Sequence, residues 1–356
     1  MSKWNKNEAS QGPGVCTPST DNPPMFSYRH AFHAGNHADV LKHTTLIAVL
    51  RHLLQKDAAL TVIDTHAGAG LYRLDGDYAT KGAEAVDGVV KLLAAAKLVP
   101  KSSVNKPVTP ADTANEAIKN VAPAKPKNAP LASLSPLIQD YLDMVAGFNK
   151  PEHLSVYPGS PFVVQRLLRE EARDKLKLFE LHPTDSKSLA ANIAQLEAGR
   201  QVTVAREDGF EGLRPFLPPP SRRALVLIDP SYEIKSDYQR VSACIQECLQ
   251  RFPTGSYMVW YPVIPRPEAH ELPRRLKTLA RQAGKPWLHA VLNIGQGPEM
   301  ARVTLPGEQA PRPGLTASGV FIINPPHTLK AGLAEALPQL KKLLGRDTRA
   351  SFVLES

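Results

Sequence analysis

Cysteine is scarce in this chain: Cys16, Cys244 and Cys248 are the only three in 356 residues. That excludes a disulfide framework and supplies too few thiolates for a zinc site of their own. Cys244 and Cys248, four apart on an expected helix, read as buried or idle thiols. Long apolar runs are missing too, with nothing near the roughly 20 residues that a membrane helix needs. The stretch Met1 to Glu8 lacks the apolar core of a signal peptide. Acidic residues are in deficit, 34 Asp and Glu against 43 Lys and Arg, a formal net charge of +9. The expectation from these shortages is a soluble, cytoplasmic protein without a membrane partner.

A basic balance permits an anionic partner such as nucleic acid but does not demand one. Much of the surplus is local, because residues 97–127 hold Lys97, Lys101, Lys106, Lys119, Lys125 and Lys127 against Asp112 and Glu116. The same tract carries Pro100, Pro107, Pro110, Pro123, Pro126 and Pro130 among alanines. Residues 97–130 therefore read as a flexible linker or surface extension. Residues 1–24, rich in Ser, Asn, Gly and Pro, read as a disordered extension, which makes Met25 the expected start of the functional chain.

Between these tracts strands and helices alternate. Strands are expected at 60–64, 176–181, 202–205, 224–228, 256–261, 288–294 and 319–323. Helices are expected at 38–54, 84–96, 136–148, 161–173, 186–196, 210–213, 238–249 and 268–283. Ser160 reads as the N-cap and Pro161 as the first helical residue of its helix. The order predicts an α/β fold with a doubly wound, seven-stranded sheet. The last two strands lack a helix between them, so one is expected to run antiparallel. The expected division is 1–24 as extension, 25–74 with 159–356 as the main domain, and 75–158 as a helical insertion after strand one.

The strand Leu225-Val226-Leu227-Ile228 stops at Asp229-Pro230-Ser231-Tyr232. Four β-formers in a row fit a strand buried on both faces, and the proline cannot continue the ladder. Asp229 thus sits at a carboxyl end, the edge where open α/β sheets bind ligands. An acid, exposed carbonyls and a ring there suit a planar base with an exocyclic amine. Such an amine is a poor nucleophile until a carboxylate and a carbonyl accept its protons, Asp229 serving as the proton acceptor. Pro230 and Ser231 would border the base and Tyr232 would stack on it. A plain strand followed by a proline turn is the alternative.

Three further acids end earlier strands. Asp64 precedes the small-residue turn Thr65-His66-Ala67-Gly68-Ala69-Gly70, which is neither a phosphate loop nor a dinucleotide fingerprint. Glu180, in Phe179-Glu180-Leu181-His182, is placed to accept from two ribose hydroxyls. Asp208-Gly209-Phe210 offers a carboxylate to an adenine amine, although Asp-Gly is also a common turn. Asn324-Pro325-Pro326 imitates the Asp229 motif, but an antiparallel last strand points it away from the ligand edge. Finally, His33 and His37 are four apart, yet Gly35-Asn36 between them argues against a helical metal site, and no metal is expected.

In this order, the stretch Tyr28-Arg29-His30 through His43, the Asp64 turn, Tyr157-Pro158-Gly159-Ser160-Pro161, Glu180-Leu181-His182-Pro183, Asp208-Gly209 and the Asp229 tetrad resemble the RlmJ family of 23S ribosomal RNA adenine-N6 methyltransferases. Gly35-Asn36-His37-Ala38-Asp39-Val40-Leu41-Lys42-His43 is the most distinctive part. The resemblance implies a class I methyltransferase fold, S-adenosyl-L-methionine as cofactor, large-subunit ribosomal RNA as partner, and a monomer. It implies cofactor contacts from His43, His66, Ser160, Glu180, Asp208, Gly209 and Asp229, and a substrate contact from Tyr28. Ser231 departs from the family's Asp-Pro-Pro-Tyr. Competing expectations are a DNA adenine-N6 methyltransferase, a non-catalytic RNA-binding module and, remotely, a histidine-based metal hydrolase.

Overall fold

The computed structural model describes residues 30–74, 84–96, 134–150, 153–296 and 314–356. The expected extension (1–24), Met25, Tyr28 and the linker (97–130) lie outside them.

The main sheet contains β1 (Thr61–Asp64), β4 (Lys175–Phe179), β5 (Val202–Ala205), β6 (Ala224–Ile228), β7 (Ser256–Pro262), β8 (Trp287–Asn293), β9 (Ala317–Ile323) and β10 (Ser351–Glu355). Their order is β10-β8-β9-β7-β6-β1-β4-β5. From β5 through β4, β1 and β6 to β7 every pairing is parallel. β9 lies between β7 and β8 and is antiparallel to both. The doubly wound sheet and its reversed late strand match the sequence expectation. The eighth strand, β10, pairs antiparallel with β8 and goes beyond the seven expected.

Apolar burial on both faces explains the unbroken run in β6. Leu225 and Leu227 join one core cluster, while Ala224, Val226 and Ile228 join the other. β9 divides in the same way, with Val320 and Ile322 on the first side and Phe321 and Ile323 on the second. Each of the buried Val, Leu, Ile and Phe side chains among them contributes about 1.5–3 kcal/mol. The second side is covered by α7 (Ser236–Arg251) and α8 (Pro267–Gln282). The first is covered by α1 (His37–Leu53), α4 (Ser160–Leu167), α5 (Pro183–Ala194) and α9 (Leu329–Leu344). No element was expected over α9 or β10. Gly332 and Pro338 interrupt the helical pattern of the first, and exposure of nearly all of the second removes its alternation.

Between β1 and β4 stand a two-stranded ribbon, β2 (Leu71–Arg73) with β3 (Val156–Pro158), and the helices α2 (Val89–Ala95) and α3 (Pro136–Ala146). Val89, Leu92, Ile138 and Tyr141 from these helices lie in the same apolar cluster as Leu41 and Leu46 of α1. The helices of the 75–158 stretch thus share the main core. Ser160 corrects its expected role: Gly159 is the N-cap, Ser160 is the first helical residue, and its hydroxyl is engaged elsewhere. Among the described residues no helix is long and apolar enough to cross a membrane. Nor do they hold a cluster of three or more metal-ligating side chains.

Candidate active site

Parallel strands deliver their carboxyl ends to one edge, and at the switch point between β1 and β6 that edge opens into a cleft. Asp64, the last residue of β1, lies behind Ser160, which lines the cleft. Its carboxylate is fully buried and accepts a 2.6 Å hydrogen bond from the Ser160 hydroxyl. Burial pushes the carboxyl up to about 6, against the opposing Ser160 bond.

The turn after β1 then meets the end of β4. Gly68 has φ +61°, a left-handed conformation suited to glycine. Its N–H donates to Glu180 Oε2 at 2.7 Å, and His182 N–H donates to Oε1 at 2.7 Å. Two backbone donors therefore aim the Glu180 carboxylate, which burial raises above the usual range. At the end of β5, Asp208 caps the short helix α6 (Gly209–Gly212) by accepting from Phe210 N–H at 3.0 Å. Gly209 lies so close to Thr65 that a Cβ would fall 1.9 Å from the Thr65 carbonyl oxygen. Only glycine lets these two turns touch.

His43 and His66 complete the near wall. His43 is 1% exposed and shares a 2.8 Å bond between Nδ1 and the Tyr157 hydroxyl. Among the described residues its Nε2 has no hydrogen-bond partner, which leaves a buried, unsatisfied imidazole nitrogen on a residue that lines the cleft. Burial lowers both histidines to about 3, which keeps them neutral.

β6 brings Asp229, Pro230 and Ser231 to the opposite wall. Asp229 is not isolated. Lys42 Nζ, from α1, lies 2.7 Å from Asp229 Oδ2 and 2.9 Å from Asp39 Oδ1. Asp39 Oδ2 in turn accepts from Gly35 N–H at 2.9 Å and faces His30 Nε2 at 3.0 Å. Burial disfavours the Lys42 charge, but Asp229 and Asp39 outweigh it and raise the lysine above its ordinary value. Burial likewise opposes the Asp39 charge, yet His30 and Lys42 hold that carboxyl well below its usual range. The outcome is a buried chain of alternating charges ending at the cleft.

The cleft therefore gathers His43, His66, Ser160, Glu180, Asp208 and Gly209 with Asp229, Pro230 and Ser231. Tyr232 departs from expectation: it is 2% exposed, packs on Tyr238 and Trp260, and donates its hydroxyl to the Trp260 carbonyl at 2.6 Å. In this structure it anchors the loop instead of offering a stacking face. Its backbone φ of +53°, unusual for tyrosine, turns the ring inward. Tyr28 lies outside the described residues. Lys42, Asp39 and Arg240 were not singled out from the sequence. The signal for the first two was an oppositely charged i, i+3 pair inside an apolar helix.

The family model described as "Ribosomal RNA large subunit methyltransferase D, RlmJ" matches residues 129–353. "Ribosomal RNA large subunit methyltransferase J" of Escherichia coli (strain K12) is 36% identical over 320 residues, covering 90% of this chain and 94% of that protein. Its namesake in Haemophilus influenzae is 34% identical over 337 residues, covering 93% of this chain and 98% of that protein. Among solved structures, protein LPL1258 from Legionella pneumophila superposes with a TM-score of 0.67 at 28% identity, covering 91% of this chain and 98% of its own. With the matched model spanning more than half the chain and both relatives aligned along nearly all of it, the chain belongs to the RlmJ family of ribosomal RNA large subunit methyltransferases.

Proposed function

We propose that this protein transfers a methyl group from S-adenosyl-L-methionine to N6 of an adenine in 23S ribosomal RNA. The observation that carries the reading is the Asp229 carboxylate, fixed by buried Lys42 at the end of β6 beside a cleft lined by Glu180 and Asp208. Family membership supplies the reaction class and the RNA.

The residues present fit the cofactor. Glu180, aimed by two backbone donors, is an acceptor for both hydroxyls of a ribose. Asp208 offers an acceptor to the adenine amine. His43 Nε2, buried and unpartnered, has a donor or acceptor to give to the bound molecule. When bound, S-adenosyl-L-methionine supplies a methyl group on a positively charged sulfur.

The chain's own part is to prepare the nucleophile. Lys42 occupies Asp229 Oδ2 and leaves Oδ1 for the target amine. Asp229 Oδ1 and a backbone carbonyl of the Pro230-Ser231 step accept hydrogen bonds from the two amine N–H groups and draw the nitrogen lone pair out of the ring. Asp229 then takes the proton that the methylated nitrogen releases. Lys42 fixes the carboxylate before the base arrives, so little reorganisation remains at the reacting step. Pro230 and Ser231 border the base, and Tyr232 holds the loop they stand on.

The test is methyl transfer from labelled S-adenosyl-L-methionine to ribosomal RNA from cells lacking the modification, digested to nucleosides. Label in N6-methyladenosine is expected. Cofactor binding without labelled RNA would shift the reading to a DNA methyltransferase or a binding module without turnover.

A further inference from the structure

Arg240, on the second turn of α7, reaches across the cleft to the turn after β5. Its Nη2 lies 2.5 Å from Asp208 Oδ2, and its guanidinium carbon sits 4.4 Å from the centre of the Phe210 ring. His66 packs its ring edge-on to the same phenyl group, centroids 4.8 Å apart. Phe210 is 5% exposed, so the guanidinium rests on a fixed surface. A planar fork stacked on a ring and tied to a carboxylate has little freedom left to lose on binding. Among the described residues its other N–H groups have no acceptor, and Arg240 lines the cleft beside Asp208 and Gly209.

An ordinary surface ion pair would need neither the stacking nor the position on the cleft wall. Side by side, the carboxylate and the guanidinium make an acceptor next to a donor. Adenine presents the complement: an amine donor flanked on each side by a ring nitrogen that accepts, N1 and N7. We infer that Arg240 is a specificity-determining residue for the base of the cofactor, donating to a ring nitrogen beside the amine that Asp208 accepts. The inference rests on the proposed cofactor reading. Sequence spacing gave no hint of it, because Arg240 follows Asp208 by 32 positions and meets it only across the fold.

The test is calorimetric binding of S-adenosylhomocysteine and its 1-deaza and 7-deaza forms, which replace one ring nitrogen by C–H, to the parent protein and Arg240→Met. The side chain is 38% exposed, so the variant folds, as its circular dichroism will show. The parent binds one of the two analogues about tenfold more weakly than S-adenosylhomocysteine, the size of a lost hydrogen bond to a charged donor. Arg240→Met binds S-adenosylhomocysteine about tenfold more weakly than the parent and no longer distinguishes that analogue. Equal or tighter binding of S-adenosylhomocysteine by the variant overturns the inference, as does an analogue penalty of the same size in both proteins. Loss of RNA affinity alone also overturns it and makes Arg240 a phosphate contact. If the parent fails to bind S-adenosylhomocysteine, the cofactor reading falls and takes this inference with it.

Discussion

Lys42 Nζ stands 2.7 Å from Asp229 Oδ2, although 187 residues separate the two in the chain. The contact joins α1, the helix of the most distinctive sequence stretch, to the end of β6, where the reacting base would lie. It makes the two strongest sequence features of the chain parts of one device.

Replacing Asp229 by alanine removes the proton acceptor but leaves Lys42 paired with Asp39. We expect methylation to fall by a factor on the order of 10² to 10⁴, the usual worth of a positioned general base. Circular dichroism should remain that of the parent. Near-normal turnover in the variant would take Asp229 out of the mechanism.

Lys42→Met strands two carboxylates, since Asp39 is 2% exposed and loses its buried cation. Breaking a buried ion pair from one side costs about 3–5 kcal/mol, and urea unfolding should show a loss of that order. In conditions where the variant is folded, kcat should fall at least about tenfold, because Asp229 is no longer held. A purely structural lysine would lower the unfolding midpoint and leave kcat alone.

Ser231 keeps the backbone carbonyl of its position while giving up the rigidity of the family's proline. Ser231→Pro should therefore turn over as fast as the parent or faster, through better preorganisation of the loop. Single-turnover rates decide this. A large drop would assign the serine hydroxyl a role of its own.

Acid should weaken the fold through its buried histidines. Burial lowers His37 to about 4, and the same cause brings His43 and His66 to about 3. The unfolded chain takes up these protons near 6.5, where the folded chain cannot. The stability they contribute is therefore present above pH 6.5 and lost as pH falls through the folded values. Asp64 and Asp237 act in the opposite sense, because burial raises both to about 6. His37→Asn isolates one proton: relative to the parent it should gain about 1.4 kcal/mol per pH unit between 6.5 and 4. Urea unfolding at several pH values measures it, and parallel profiles for the two proteins would refute it.

The sequence by itself determined the strand and helix order over most of the chain, the acids at four strand ends and the family. These are legible because they are local. A buried parallel strand must be apolar throughout, its end must carry a breaker, and a turn such as that around Gly68 needs glycine. Leu225 to Pro230 states the first two of these in six residues. The sequence also allowed the reversal of β9, since no crossover helix precedes it.

Tertiary structure alone decided which side chains meet. Tyr232 looks like a stacking ring in the linear motif, but a left-handed backbone and the Trp260 carbonyl turn it inward. Ser160 looks like a cap, but the fold brings buried Asp64 within reach of its hydroxyl. Lys42 reaches Asp229, and Arg240 reaches Asp208, only because the sheet places β6, β1, β4 and β5 side by side with one helix layer on each face. Charge pairing acts over a few ångströms of space and is blind to separation along the chain. Hydrophobic periodicity writes the elements into the sequence, while the charges that prepare the site become partners only once those elements have packed.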